Sequence, residues 1–515
     1  MKNVLLINPG HDDSHEAYKH KSHRLVHRDP PPIGILYVGT FLKRNGYEVD
    51  LIDTHTEEDY KNVIQNYINS NNYVYIGITV IIGKFLKNAN ELTSFIRTID
   101  PKLPIVWGGI MASIMPDAIL NEYKPDYIVR YEGEETSLEL ANALLYKNDI
   151  QNVKGISYIL DEKIIHNDAR IPKKNLDDYP IPKWELFGKG FNIQQVPYYY
   201  LIMSSRGCPF NCTFCYKHSI DYSLRKSMPS WRPRSAEHII EELEYIHQNT
   251  GTTVFTFGDD NFFVNKKRAL KVLDYFKNKK LYIEECIGHI GCIDDEIIDA
   301  MGGIVQTFIF SVETASQRLQ KYINKKLNLN SVSTIVNKFY KLGIVSDISF
   351  ICGLPTEEQK DLRANVEFMI ELKKANPFAR GNMYLYYPLP KTKLHDSIED
   401  IYNIKLTDKT KDYENANFWV KSTNDPLGNK SRPWLTKENF TNLVLYGCAF
   451  NDAFQMCNLE LEEETKTILG EHFVIREIFK GIESVNKPKK QYRPYVLDRV
   501  LNKEEIDLIN DLQKY

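Results

Sequence analysis

No apolar run in this chain approaches the roughly 20 residues that cross a bilayer. Nothing near the amino terminus resembles an export signal, because Met1-Lys2 leads through a short apolar segment straight into Pro9-Gly10. Charge of one sign is scarce too. The 515 residues carry a formal net charge of −3, which gives no reason to expect nucleic acid or a membrane as a partner. Cysteine is sparse and unevenly placed. Of eight, Cys208, Cys212 and Cys215 fall within eight residues, while Cys286, Cys292, Cys352, Cys448 and Cys457 are scattered. A long chain without an export signal does not read as a disulfide framework. The expectation is a cytoplasmic protein whose close cysteine trio binds metal.

Hydrophobic residues make up 43% and charged residues 26%, an ordinary globular balance. The length predicts two to four domains at about 150 residues each. Residues 1–150 alternate between strand-like and helix-like patterns. Val4–Ile7, Val49–Ile52, Tyr73–Ile82, Ile105–Trp107 and Tyr127–Val129 read as strands. Ile33, Leu36, Tyr37, Phe41 and Leu42 mark one helix face, ending near Asn45-Gly46. This predicts an α/β, Rossmann-like, five-stranded parallel sheet with helices on both faces. Its ligands should bind beyond the carboxyl ends of the strands. Residues 151–195 read as a hairpin, Ile156–Leu160 with Lys163–His166, followed by a Pro- and Asp-rich linker.

A second series spans 196–396, with strands expected at Tyr200–Ser204, Thr253–Phe257, Tyr282–Glu285, Val305–Phe310, Ser346–Ile351 and Met383–Tyr386. Six such units fit a partial (β/α)6 barrel of the TIM type, with its site at the strand C-termini. Residues 397–515 read as a mostly helical region that covers the cavity, with Tyr386, Tyr387, Trp419 and Trp434 as lining or core aromatics.

The loop after the first strand of the second series reads Ser204-Ser205-Arg206-Gly207-Cys208-Pro209-Phe210-Asn211-Cys212-Thr213-Phe214-Cys215-Tyr216. A cubane iron–sulfur cluster usually takes four thiolates. Three in one loop hold three irons and leave the fourth open to an exogenous ligand. Structural zinc is the competing reading, but it wants four ligands, usually as two paired motifs, and no second pair stands nearby.

Cys-x3-Cys-x2-Cys followed by an aromatic, at the end of a first barrel strand, resembles the radical S-adenosylmethionine (SAM) superfamily. The resemblance implies a [4Fe–4S] cluster on Cys208, Cys212 and Cys215 with SAM chelated to the open iron. It places SAM contacts at Tyr216, at Gly258, Asp259, Asp260 and Asn261 after the second strand, at Ser311 and Glu313 after the fourth, and at Ile351 after the fifth. Arg232-Pro233-Arg234-Ser235 resembles a basic stretch that often follows the cluster loop. A Rossmann-like domain ahead of such a barrel is similar to the cobalamin-binding branch. That likeness implies corrin contacts at Gly34, Thr79, Val80, Gly108, Gly109, Ile110, Met111, Glu132 and Gly133. Glycines there let the backbone approach a flat ligand.

The segment Asp13-Ser14-His15-Glu16-Ala17-Tyr18 lacks the closing glycine of Asp-x-His-x-x-Gly, so His15 is not read as a cobalt ligand. His11, His15, His20, His23 and His27 read as a polar loop, with zinc or cofactor contact as alternatives.

The function implied is cobalamin-dependent methylation of an unactivated carbon in a small molecule or natural-product intermediate. SAM would be cleaved to a 5′-deoxyadenosyl radical with an electron from a flavodoxin or ferredoxin. A non-methylating cyclase, ring-rearranging enzyme or oxidase with the same cofactors is the second reading. A non-catalytic cobalamin carrier or sensor is the third.

Overall fold

A computed structural model describes residues 2–10, 31–57, 59–187, 200–219, 227–414, 432 and 434–454. The histidine-rich segment His11–His27, Trp419 and Cys457 lie outside these residues.

Strands β1 (Asn3–Asn8), β2 (Glu48–Asp53), β3 (Tyr73–Thr79), β4 (Ile105–Gly108) and β5 (Tyr127–Val129) pair in parallel in the order β2-β1-β3-β4-β5. Every residue of β1 is buried, as its continuous apolar run requires in a sheet covered on both faces. Val4 and Leu6 pack with Leu36 and Leu140 on one side. Leu5 and Ile7 pack with Leu86 and Leu92 on the other. The predicted hairpin forms as β6 (Ile156–Leu160) and β7 (Lys163–His166), its turn made by Asp161 and Glu162, both at positive φ. It joins the sheet edge antiparallel to β5, so the parallel sheet grows to seven strands. Five strands were legible as one sheet from βαβ spacing. The edge pairing was not, because a hairpin carries no signal of what it docks on.

The barrel strands are β8 (Leu201–Ile202), β11 (Val254–Phe257), β12 (Tyr282–Ile287), β13 (Val305–Glu313), β14 (Val345–Cys352) and β15 (Arg380–Leu385). All are parallel and arranged in chain order. Between them, β9 (Ser205–Gly207) and β10 (Trp231–Pro233) form a small antiparallel ribbon. Helices begin where caps allow. Ser235 accepts from the His238 N–H, Asn265 from Arg268, and Asn328 from Asn330. Among the described residues the barrel does not close. The helix Lys437–Phe454 packs on its β15 edge, where the Asn451 side chain accepts from Met383 N at 2.6 Å and donates to Met383 O at 3.2 Å. Those backbone groups would otherwise be an unpaired strand edge. Among the described residues no helix is long and apolar enough to cross a membrane.

Candidate functional site

The cysteine loop leaves β9 through Gly207, whose φ is +89°. A side chain there would strike the Ser230 carbonyl, so only glycine lets the ribbon turn into the loop. The loop is pinned on both sides by main chain: Thr213 N donates to Ile323 O and Thr213 O accepts from Leu394 N, each at 2.9 Å. Asn324 adds a side-chain bond to Asn211 O at 2.7 Å. Cys208, Cys212 and Cys215 are half-buried free thiols. Burial pushes the Cys212 thiol up to about 11, against the pull of Lys325, and raises that of Cys215. Three soft thiols on one rigid loop, none in a disulfide, suit an iron–sulfur cluster, whose iron replaces those protons.

Around this loop, Glu313 ends β13 with φ +65°, just past a break in register with β14. It pairs with Lys325 at 3.2 Å, and both side chains are 9% exposed. A non-glycine residue held in this region is a strained feature that the surrounding structure has to enforce. Lys217 pairs with Asp260 at 2.5 Å.

Asp259 and Asn261, expected with Asp260 as SAM contacts, have their side chains engaged within the protein. Asp259 is fully buried and accepts from Ser204 N at 3.1 Å, Ser204 Oγ at 2.9 Å and the Ser205 hydroxyl. Asn261 is also fully buried, accepting from His289 N at 3.2 Å and donating to Cys292 Sγ at 3.3 Å. Both brace the strand ends. Asp260 alone of the three lines the cavity described next. Ser311 and Ile351, half-buried, sit toward the carboxyl ends of β13 and β14, and Gly258 directly follows β11.

Both sheets present strand C-termini to one cavity of about 360 Å3. Gly34, Thr79, Gly108, Gly109, Glu132 and Gly133 line it from the first sheet, and Met203, Arg206, Gly207, Tyr216 and Asp260 from the barrel. Gly109 has φ +95°, and a Cβ there would lie 2.6 Å from Val80 O. Gly34 has open space where a side chain would be. This floor fits a broad flat group. Val80, Ile110 and Met111 are not among the lining. Val80 and Met111 are buried beneath it in the apolar core, because the chain turns into a helix at Ile110.

Two residues outside the expected cofactor contacts, Tyr131 and Arg206, also line the cavity. Tyr131 is held at φ +65°, its N–H donating to Ser113 Oγ at 2.6 Å. Arg206 joins the domains, pairing with Glu132 at 2.8 Å and Glu134 at 2.5 Å, with its guanidinium near the rings of Tyr37 and Tyr179. Buried Arg232 from the basic stretch binds Glu132 as well. The Glu132 carboxylate is therefore taken up by two barrel arginines. The Glu132 and Arg206 side chains are each 21% exposed, while Arg232 is buried at 3%. The clasp thus fixes one sheet against the other at the cavity wall.

Comparison with known proteins agrees with this geometry. A B12 binding domain matches residues 24–141, and a radical SAM superfamily domain matches residues 202–369. An uncharacterized methyltransferase of Pyrococcus horikoshii is 30% identical over 376 residues, covering 72% of this chain and 78% of that protein. The chain belongs to the cobalamin-binding radical SAM family. An anaerobic magnesium-protoporphyrin IX monomethyl ester cyclase of Rubrivivax gelatinosus is 24% identical over 417 residues, covering 75% and 69%. The radical SAM methyltransferase TsrM from Kitasatospora setae, solved with cobalamin and a [4Fe-4S] cluster bound, shares the fold at a TM-score of 0.65. It is 17% identical, with 79% of each chain covered. The cofactors of this radical SAM enzyme are a [4Fe–4S] cluster, SAM and cobalamin.

The barrel also carries half-buried charge. Glu285 on β12 is pushed up to about 7, first by burial, then by Glu284 and Asp347, with Arg380 opposing. Its folded value lies above the ordinary value of 4.5. Stability is therefore full below pH 4.5 and declines as the carboxyl ionises through pH 7. Glu285→Gln is expected to raise the melting temperature at pH 8 and leave it nearly unchanged at pH 4.5. An equal effect at both pH values would mean that ionisation is not the cause.

Proposed function

We propose that this enzyme methylates an unactivated carbon of a small-molecule or natural-product intermediate. The observation that carries the reading is the single cavity floored by Gly34, Gly108 and Gly133 and walled on the barrel side by Tyr216, which follows the last cluster cysteine. A methyl carrier on that floor would face the place where SAM is cleaved. The methyltransferase of Pyrococcus horikoshii supports the same reaction class.

In this reading, Cys208, Cys212 and Cys215 hold three irons. The bound cofactors supply one-electron cleavage of SAM at the open iron and a transferable methyl group on the corrin. The chain positions and shields them. Glu313, fixed by Lys325, offers acceptors at the mouth of the barrel, with Ser311, Ile351 and Asp260 on neighbouring strand ends. The glycine floor admits the corrin face, and the Arg206–Glu132–Arg232 clasp keeps the two sheets aligned so that reacting groups meet in one geometry. An external flavodoxin or ferredoxin supplies electrons.

The cyclase relative keeps a second reading open, in which the same cofactors drive cyclisation without methyl transfer. Product analysis separates the two. During substrate turnover, methylation is expected to release S-adenosylhomocysteine and 5′-deoxyadenosine in comparable amounts. Release of 5′-deoxyadenosine without matching S-adenosylhomocysteine would favour cyclisation and refute methylation.

A further inference from the structure

His289 stands at the barrel mouth, just beyond β12, in a position that neither the cysteine motif nor the cavity explains. Its ring stacks on Phe210, which lies between Cys208 and Cys212 in the cluster loop, with centroids 3.9 Å apart and planes at 17°. Its backbone is fixed at both ends: His289 N donates to Asn261 Oδ1 at 3.2 Å, and His289 O accepts from Cys292 N at 2.8 Å. The ring's tautomer follows from one bond. Gly291 N donates to Nδ1 at 3.1 Å, so Nδ1 is the acceptor and the proton sits on Nε2. That Nε2–H is buried and has no hydrogen-bond partner among the described residues. Leaving a buried donor unmatched is costly, and folded proteins rarely do so without a ligand or ordered water to accept it. Phe210, against which the ring stacks, stands two residues from Cys208 and two from Cys212 in the loop. The unmatched donor and the cluster cysteines therefore share one neighbourhood.

The geometry points to His289 as a positioning residue whose Nε2–H donates a hydrogen bond to a sulfur of the iron–sulfur cluster. The inference rests on the reading that Cys208, Cys212 and Cys215 hold that cluster. Hydrogen bonds to cluster sulfurs are among the factors that set its reduction potential. A donor there stabilises the more negative, reduced form. The Phe210 stack holds the ring at a fixed angle to the loop, so the bond is set before SAM arrives.

The test uses the full chain, reconstituted anaerobically with iron and sulfide and kept free of SAM. His289→Phe preserves an aromatic face for Phe210 and removes the donor. His289→Gln restores an N–H on a side chain of similar reach. Iron and sulfide content is measured first, and midpoint potentials are then read by electron paramagnetic resonance during redox titration. His289→Phe is expected to shift the potential to more negative values at unchanged cluster content, and His289→Gln to recover part of the shift. In wild type labelled with 15N-histidine, pulsed spectra of the reduced cluster should show a weak nitrogen coupling. Equal potentials in all three proteins, with no nitrogen coupling, would overturn the proposal and assign the donor to a water. Unchanged SAM-free potentials with weakened SAM binding in His289→Phe would also overturn it, by moving the acceptor onto SAM. If His289→Phe fails to assemble a cluster, the nitrogen coupling in wild type decides alone. Wild type with no cubane at all would instead sink the cluster reading beneath it.

Discussion

Cys212→Ala is expected to abolish reductive cleavage of SAM, lowering 5′-deoxyadenosine formation by at least about a thousandfold, or about 4 kcal/mol of barrier. Two thiolates cannot hold three irons, so the variant should also lose iron after anaerobic reconstitution. The fold should survive. Cys212 is half-exposed on a loop that main-chain bonds at Thr213 tie down, and its side chain contributes little to the core. A thermal midpoint close to wild type would show that lost chemistry, and not unfolding, explains the result. Cys286→Ala serves as the contrast, because Cys286 is fully buried within the core. That change should cost some stability and leave cleavage per cluster intact. Full cleavage by an iron-reconstituted Cys212→Ala protein would contradict the assignment of the trio.

What was legible in the sequence followed from local pattern. The apolar runs at Val4–Ile7 and Tyr127–Val129 and the βα spacing gave both sheets. All six expected barrel strands pair in parallel, in chain order. The Cys-x3-Cys-x2-Cys spacing marked the cluster loop because one short loop carries the whole motif. What was not legible depends on partners far away in the chain. β9 and β10 are three residues each, too short for alternation to show, and their pairing joins residues 205–207 to 231–233. The Arg206–Glu132 pair spans 74 positions, and nothing near either residue names the other. The Asp259-Asp260 pair divides for the same reason. Composition treats the two alike, but the fold turns Asp259 under the Ser204–Ser205 strand end and leaves Asp260 on the cavity. His289 has no motif at all. Only the unmatched Nε2–H and the Phe210 stack distinguish it from an ordinary core histidine.

The glycine floor makes the second large expected effect. Gly108 ends β4 on the cavity wall, and a Cβ there would meet nothing closer than Val129 O at 3.7 Å. The first atom of a side chain therefore fits, but an indole has to extend into the space a corrin would use. Gly108→Trp is expected to weaken cobalamin binding by at least about 100-fold, or about 2.7 kcal/mol. The cluster loop belongs to the other sheet, so the variant should still load iron and cleave SAM to 5′-deoxyadenosine. Methyl transfer should fail. That split between retained cleavage and lost transfer separates a blocked corrin site from a misfolded protein. Gly34→Ala provides the small-side-chain control: its Cβ would enter open space, and a single methyl there should change cobalamin affinity little. If Gly108→Trp binds cobalamin as wild type does, the corrin does not lie on this floor. The shared cavity would then hold some other part of the reaction.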